Sequence, residues 1–293
     1  MRRLSSYAIF ALAIATFSPK TARAQDIGDA SGTVSPPSAG RADISANRPY
    51  WGAGPVRGFA AGAFDTAGIG MRTELDLGYG RPHHQWAGLE LATGLSLKGM
   101  SLMAYARAQA PWGHVRFGPR FFTGLNQKLI PEVAVVTRPL LDVNEGLRSK
   151  YLSLDGEVNV SIPLPVGALG ILANAYGLFG VPDGYYVFED ALRTVVEPAF
   201  VGRGRISYLA GIGKPATLRV GGVAELIFNP GRDLYTIRTG PAVAVALTHH
   251  LEAVGVAAFS VYNPDEIGLA GADLGQIGFR YKWASGDLWP EFP

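Results

Sequence analysis

The chain has 293 residues, no cysteine, and 26 basic against 24 acidic side chains, for a formal charge of +2. Charged residues make up 17% of it, below the roughly 25% of soluble domains, and 38 residues are glycine. Disulfide frameworks are excluded, and so even a charge balance gives no electrostatic footprint for nucleic acid.

Residues 1–24 read as a signal peptide. Arg2 and Arg3 precede an apolar stretch from Tyr7 to Phe17, and Ala22-Arg23-Ala24 has the small-x-small form of a cleavage site. The stretch is shorter than the ~20 apolar residues of a membrane-spanning helix. Cleavage would remove Arg2, Arg3, Lys20 and Arg23 and no acid, leaving 22 basic against 24 acidic residues. Residues 25–53, rich in Ser, Gly, Pro and Asp, read as a flexible lead, ordered only if it enters a lumen.

From residue 54 to 283 extended segments follow one another. Side chains alternate faces along a strand, so an apolar set opposed by a polar set marks a sheet that is oily on one side and wet on the other. In 71–79, Met71, Thr73, Leu75, Leu77 and Tyr79 oppose Arg72, Glu74 and Asp76. In 114–121, Val115, Phe117 and Phe121 oppose His114, Arg116 and Arg120. In 147–162, Leu152, Leu154, Val158, Val160 and Ile162 oppose Ser153, Asp155, Glu157, Asn159 and Ser161. Arg219 and Glu225 oppose apolar neighbours in 218–228, as do Thr236 and Arg238 in 235–247 and Gln276, Arg280 and Lys282 in 274–283. Segments near 86–97, 100–110, 166–179, 199–212 and 250–262 alternate less cleanly, and in 100–110 Arg107 fits either face.

These patterns predict an all-β fold: a closed antiparallel transmembrane β-barrel with its polar set lining the lumen. About thirteen segments can be marked, and 55–64 and 128–138 are the weakest. A single-chain bacterial barrel takes an even number of strands, so the expectation is 12, with 10 or 14 as alternatives. Tight turns at 164–165, 213–215 and 248–250 alternate with longer connections at 139–146, 180–197 and 263–268, the two-ended asymmetry of such barrels.

The lumen-lining candidates are Arg72, Glu74, Asp76, Arg116, Arg120, Asp155, Glu157, Arg219, Glu225, Arg238, Arg280 and Lys282. Facing lipid at the bilayer midplane, an Arg or Lys costs about 2–4 kcal/mol, and a one-residue slip would put a whole polar set there. The set reads either as a solute-selecting constriction or as a salt-bridged filling; its mixed signs oppose strong ion selectivity. Gly202, Gly204, Gly221, Gly222, Gly275 and Gly278 are expected to allow curvature and close packing. In the loop 180–197 a short helix is expected from Glu189, with Leu192, Val195 and Val196 on one side. Tyr185, Tyr186 and Phe188 are its contact candidates, for a ligand, an aromatic girdle or an inward gate.

No cofactor, metal or catalytic constellation is expected. His83-His84 and His249-His250 fall in turns as solvated residues, and adjacent strand residues face opposite ways, which suits no two-ligand metal site. No G-x-S-x-G occurs, and Gly211-Ile212-Gly213-Lys214-Pro215 lacks the phosphate-loop spacing.

The segment Gln276-Ile277-Gly278-Phe279-Arg280-Tyr281-Lys282-Trp283, with alternating aromatics, resembles the last strand of bacterial outer-membrane β-barrel proteins. The span 54–283 resembles that porin-like class as a whole, by pattern and not by a signature motif. Residues 284–293, including Trp289 and Phe292, depart from the class as a tail beyond the last strand. The resemblance implies an outer-membrane location, lipid and the barrel-assembly machinery as partners, and small solutes as cargo of a passive pore or none for a structural barrel. Two alternatives stand beside it: an outer-membrane enzyme on lipid or lipopolysaccharide, and a soluble periplasmic β-sandwich that binds a ligand.

Overall fold

The computed structural model describes residues 48–67, 70–143, 145–213, 217–275 and 277–286. The expected signal peptide, residues 25–47 of the lead, Lys214, Pro215, Gln276 and the tail from 287 lie outside them. No described helix is long and apolar enough to cross a membrane, which has no bearing on strands.

A short helix, α1 (Arg48–Gly52), precedes β1 (Arg57–Ala67), β2 (Gly70–Arg81), β3 (Gln85–Leu95), β4 (Gly99–Ala110) and β5 (Gly113–Lys128). Then come β6 (Ile130–Pro131), α2 (Arg138–Leu141), β7 (Arg148–Leu164), β8 (Gly167–Phe179), β9 (Tyr185–Glu189) and β10 (Thr194–Val196). The chain continues with β11 (Phe200–Ile212), β12 (Leu218–Asn229), β13 (Leu234–Ala246), β14 (Leu251–Val256), β15 (Phe259–Tyr262), a 3₁₀ turn (Gly268–Gly271) and β16 (Gly278–Ala284).

All wall pairings are antiparallel, and β1 pairs with β16 as well as with β2, so the sheet closes. β14 and β15 are two halves of one stave, both paired with β13. The interruption falls opposite Pro241, which has no N–H to give the ladder but accepts one from Ala257 at 3.1 Å. The wall thus has 12 staves. One sheet closing on itself excludes the sandwich alternative, which needs two facing sheets.

The surplus thirteenth segment is 128–138. Beyond the end of β5 the strand within it is Ile130–Pro131, which pairs with β9 in a separate three-stranded sheet with β10, and Thr137 makes an isolated bridge to Glu266. The weak 55–64 segment is the wall strand β1. The predicted helix from Glu189 is a correction: 185–196 forms the β9–β10 hairpin, with Thr194 opposite Glu189. Leu192, Val195 and Val196 share the i, i+3, i+4 spacing of a helix, but they are apolar because the hairpin is buried.

The turns 82–84, 111–112, 165–166 and 247–250 lie at one end, where β1 begins, and the long connections 129–147, 180–199 and 263–277 lie at the other. Burial alternates along the strands. In β2, Met71, Thr73, Leu75, Leu77 and Tyr79 are exposed, while Arg72, Glu74 and Asp76 are not. The same phase holds in β7, where Leu152, Leu154 and Val158 face out.

Both mouths are filled. At the long-loop end Leu129, Val187, Leu192 and Val196 pack on the inward wall residues Phe122, Tyr151, Tyr176, Leu178, Val201 and Ile227. Above them Ile130, Val136 and Leu141 join Tyr186, Phe188, Val195 and Ile267, so all three long connections share one core. At the short-turn end Trp51, 1% exposed, packs on Phe59, Ala61, Trp86 and Ala284. The end of the lead, 48–52, is thus ordered where Trp51 enters the mouth, the condition under which order is expected.

The expected glycine role holds at some positions and not at others. A Cβ on Gly221 would lie 1.8 Å from the Tyr208 carbonyl oxygen of β11, whereas one on Gly204, on the outward face, meets nothing. Gly221→Ala should destabilise the barrel by about 1–3 kcal/mol, read as a lower urea midpoint in detergent micelles. Gly204→Ala should leave that midpoint unchanged.

Candidate functional site

The interior is built by β-strand parity: every second residue of each wall strand points inward, and ring closure brings them face to face. The twelve sequence candidates all lie on inward positions, and the structure joins eleven of them into ion-pair groups; Asp76 is buried beside Glu74 and Glu90 without an ion pair among the described residues.

Glu90 centres the first group and is 0% exposed. Its carboxylate accepts from Arg72 at 2.6 Å, Arg107 at 2.8 Å and Arg116 at 2.8 Å. Arg107 also reaches Glu74 at 2.9 Å, and Arg116 reaches Glu157 at 2.9 Å. Glu157 further accepts from Asn174, which in turn accepts from Arg203 at 2.8 Å. Glu74, Asp76 and Glu90 bring carboxylate oxygens within 4.8 Å of one another. Arg72 and Arg107 already engage both Glu74 and Glu90, so a metal ion would have to compete with guanidinium donors for those oxygens.

The second group ties the hairpin to the wall. Arg120 donates to Asp155 at 2.7 Å and to Glu189 at 2.8 Å. Tyr151 donates to the other oxygen of Glu189 at 2.6 Å, and Tyr105 to Asp155 at 2.9 Å. In the third group Arg238, fully buried, binds Glu225 at 2.9 Å and donates to the hairpin carbonyls of Leu192 at 2.7 Å and Arg193 at 2.8 Å. Arg205 bridges Glu225 to Asp273 of the third long connection. Near the seam, Arg219 and Lys282 flank Glu252 at 3.2 and 3.7 Å, and Arg280 pairs with Asp65 at 2.7 Å.

The sequence candidates do not include Glu90, Arg203, Arg205, Glu252, Asp65 and Glu189, and Arg107, which fits either face by sequence, points inward. Glu90 shares parity with Trp86 and Ala92, and Arg107 with Tyr105 and Gln109, so two-residue phase alone would have found them. Glu189 carries no such phase, because its place depends on how the hairpin enters the mouth.

Tyr185, Tyr186 and Phe188 are not in an outer girdle. Phe188 and Tyr186 are buried between the long connections, Tyr185 packs beside the hairpin core, and the Tyr186 ring lies 4.9 Å from the Arg232 guanidinium. Arg232 is held by Asp265 at 2.5 Å. Between the first two groups remains a cavity with about 70 Å³ open to the centre of a water molecule, lined by Tyr105, Arg116, Arg120, Asp155, Glu157 and Ala191 among others.

The turn histidines, expected to be solvated, are so only in part: His249 is exposed, while His83, His84 and His250 are half-buried. They do lie in turns, but α1 packs against three of them. Tyr50 stacks on His249 at 4.5 Å, and Trp51 meets His83 and His250 edge-on at 4.7 and 5.2 Å. Each of two imidazoles donates to a carbonyl of β16: His83 Nε2 to Trp283 at 2.9 Å and His250 Nδ1 to Lys282 at 2.9 Å. Burial, reinforced by the nearby Lys282 ammonium, lowers the His83 pKa to about 3. His114 faces inward, bound to Glu157 at 2.7 Å, and no described serine hydrogen-bonds to it.

No protein-family model matches the chain, and no curated protein does either.

Two outcomes test the site. Glu90→Ala strands guanidinium groups inside the barrel and should cost about 3–5 kcal/mol of stability, since removing one partner of a buried pair leaves uncompensated charge; denaturant unfolding reads it. His83 binds a proton in the unfolded chain from about pH 6.5 downward but in the folded chain only near pH 3. Its contribution therefore lowers stability as pH falls through that window. His83→Asn, which tolerates the local φ of 56°, should shrink the difference between the urea midpoints at pH 7 and pH 4.5.

Proposed function

We propose that the chain is an exported outer-membrane β-barrel protein whose lumen is closed at rest, a structural barrel and not an open passive pore. The observation that carries this reading is the interior. Ion-pair groups line the inner wall between neighbouring and next-but-one strands, the β9–β10 hairpin spans the lumen from Arg120 of β5 to Arg238 of β13, α1 fills the other mouth, and the named cavity has room for only a few waters.

The outer wall supports membrane residence. Its exposed positions form a band of Leu, Val, Ile, Met and Phe, including Leu77, Leu91, Leu102, Val115, Leu154, Ile171, Ile206 and Val243. An apolar surface this large on a monomer is a membrane or protein interface. Aromatic residues sit toward both rims, with Tyr79 and Trp112 near the short turns and Phe179, Phe228, Tyr235 and Tyr262 near the long connections. That is the arrangement of girdles at the two bilayer surfaces. An enzymatic reading gains no support, because the inward His114 is committed to Glu157.

In planar bilayers the full-length protein should show no steady conductance. Glu189→Ala, which cuts the hairpin from Arg120 and Tyr151, should produce intermittent openings. A stable ohmic conductance in the unaltered protein would overturn the closed-lumen reading. Leu154→Arg, at the middle of β7 on the outward face, should lower stability in phospholipid vesicles by about 2–4 kcal/mol; an unaltered midpoint, or recovery of the parent as a soluble monomer without detergent, would overturn membrane residence.

A further inference from the structure

Charge is almost absent from the outward positions of the wall strands, and where it occurs it is gathered. β7 begins Arg148-Ser149-Lys150; Arg148 and Lys150 are exposed and outward, while Ser149 between them is buried. A register shift in β5 between Thr123 and Lys128 reverses the strand's phase, so that Gln127 is buried and Lys128, the register partner of Arg148, shares its outward face. Among the described residues no carboxylate pairs with any of these three cations. Of the acids that precede β7 in the chain, Asp142 is engaged by Lys98 at 3.5 Å and Arg138 at 3.4 Å, and Glu145 is exposed and makes no ion pair with the three. Arg81, the cation on the outward phase at the opposite rim, donates to the Gly54 carbonyl at 2.9 Å and is thereby accounted for.

The position is as telling as the charge. The cluster stands at the long-loop end of the apolar band. Lys150 lies over the outward Phe121 ring at 5.6 Å. The next outward residue of β7, Leu152, is two positions and roughly 6–7 Å below, exposed and apolar, with Leu154 beneath it. A ligand seated here meets guanidinium and ammonium donors at its head and a hydrocarbon wall along its tail.

We propose that Lys128, Arg148 and Lys150 form a binding site for the headgroup of a net-anionic phospholipid or phosphoglycolipid, one whose phosphate has no cation of its own, in the leaflet on the long-loop side. Arg148 offers the planar fork that binds two phosphate oxygens at once, and the two lysines add point charges from either side. At the rim of the band an outward cation costs only about 0–1 kcal/mol, so the cluster is tolerated without a partner and gains from an anionic one. A free anion would use the cations but not the Leu152–Leu154 wall, which is why the occupant is a lipid. This rests on the membrane residence proposed above.

The test uses the full-length protein folded in neutral detergent and native mass spectrometry of retained lipids. The probes are a bisphosphorylated, acylated glucosamine glycolipid, its dephosphorylated form, and phosphatidylcholine. The phosphorylated probe should be retained at least about ten-fold better than the other two, the scale of one charge-assisted contact. Lys128→Gln/Arg148→Gln/Lys150→Gln should abolish that preference, while heat-modified gel migration reports that it still folds. Lys150→Arg should keep the preference, and Lys150→Gln alone should weaken it, which gives a readout if the triple variant fails to fold. Equal retention of all three probes, or a preference that survives the triple change, would overturn the site. Displacement by inorganic phosphate at concentrations equal to the glycolipid would overturn the lipid assignment. Insertion into neutral phosphatidylcholine vesicles is scored separately: failure there strikes the membrane reading, while insertion without headgroup preference strikes this site alone.

Discussion

Ring closure between the first and last wall strands is the constraint on which the rest depends. β1 and β16 share a short ladder, from Ala61 opposite Ala284 to Asp65 opposite Arg280, and that ladder removes both edges of a twelve-stave sheet. In hydrocarbon an unpaired backbone N–H or C=O has no water to turn to, so a sheet can stand there only when closed. Closure also divides each strand into an inside and an outside. The Arg280–Asp65 ion pair spans the same joint, so the seam is held by side chains as well as by backbone.

Once inside and outside exist, electrostatics and, in the membrane setting proposed above, the bilayer act in the same direction. Outward charges are expensive and inward charges are useful, provided that they are balanced. Glu90 accepts from three guanidinium groups, and Arg238 binds one carboxylate and two backbone carbonyls. Each buried pair gains Coulomb energy against a large desolvation cost, so the network specifies the arrangement of the walls more than it adds net stability. Removing one member is costly for that same reason.

Much of this was legible in the two-residue rhythm of the sequence. In β2 and β7 the apolar and polar sets separate cleanly, and their charged residues lie where parity puts them. Parity failed where burial comes from both sides. Residues 128–138 and 185–196 are apolar because they pack on each other and on the inner wall, and local periodicity cannot distinguish that from a strand facing lipid or a helix facing a core. The turn histidines were misread in part, and for a related reason. The partial burial of His83 and His250 depends on Tyr50 and Trp51, whose return to the mouth of the barrel is encoded in tertiary contacts and not in the sequence around residues 83 or 250.

The β9–β10 hairpin has one more consequence, for the way the molecule comes apart. It is joined by the chain to β8 and β11, yet Glu189 holds Arg120 and Tyr151 of β5 and β7, while its turn holds Arg238 of β13. Strands far apart around the circumference thus depend on one inserted segment. A wall strand cannot peel away on that side without first extracting the hairpin, and extraction releases the opposite side too. Local opening is thereby coupled to global opening, and the barrel should unfold as a single cooperative unit instead of unzipping stave by stave from its seam.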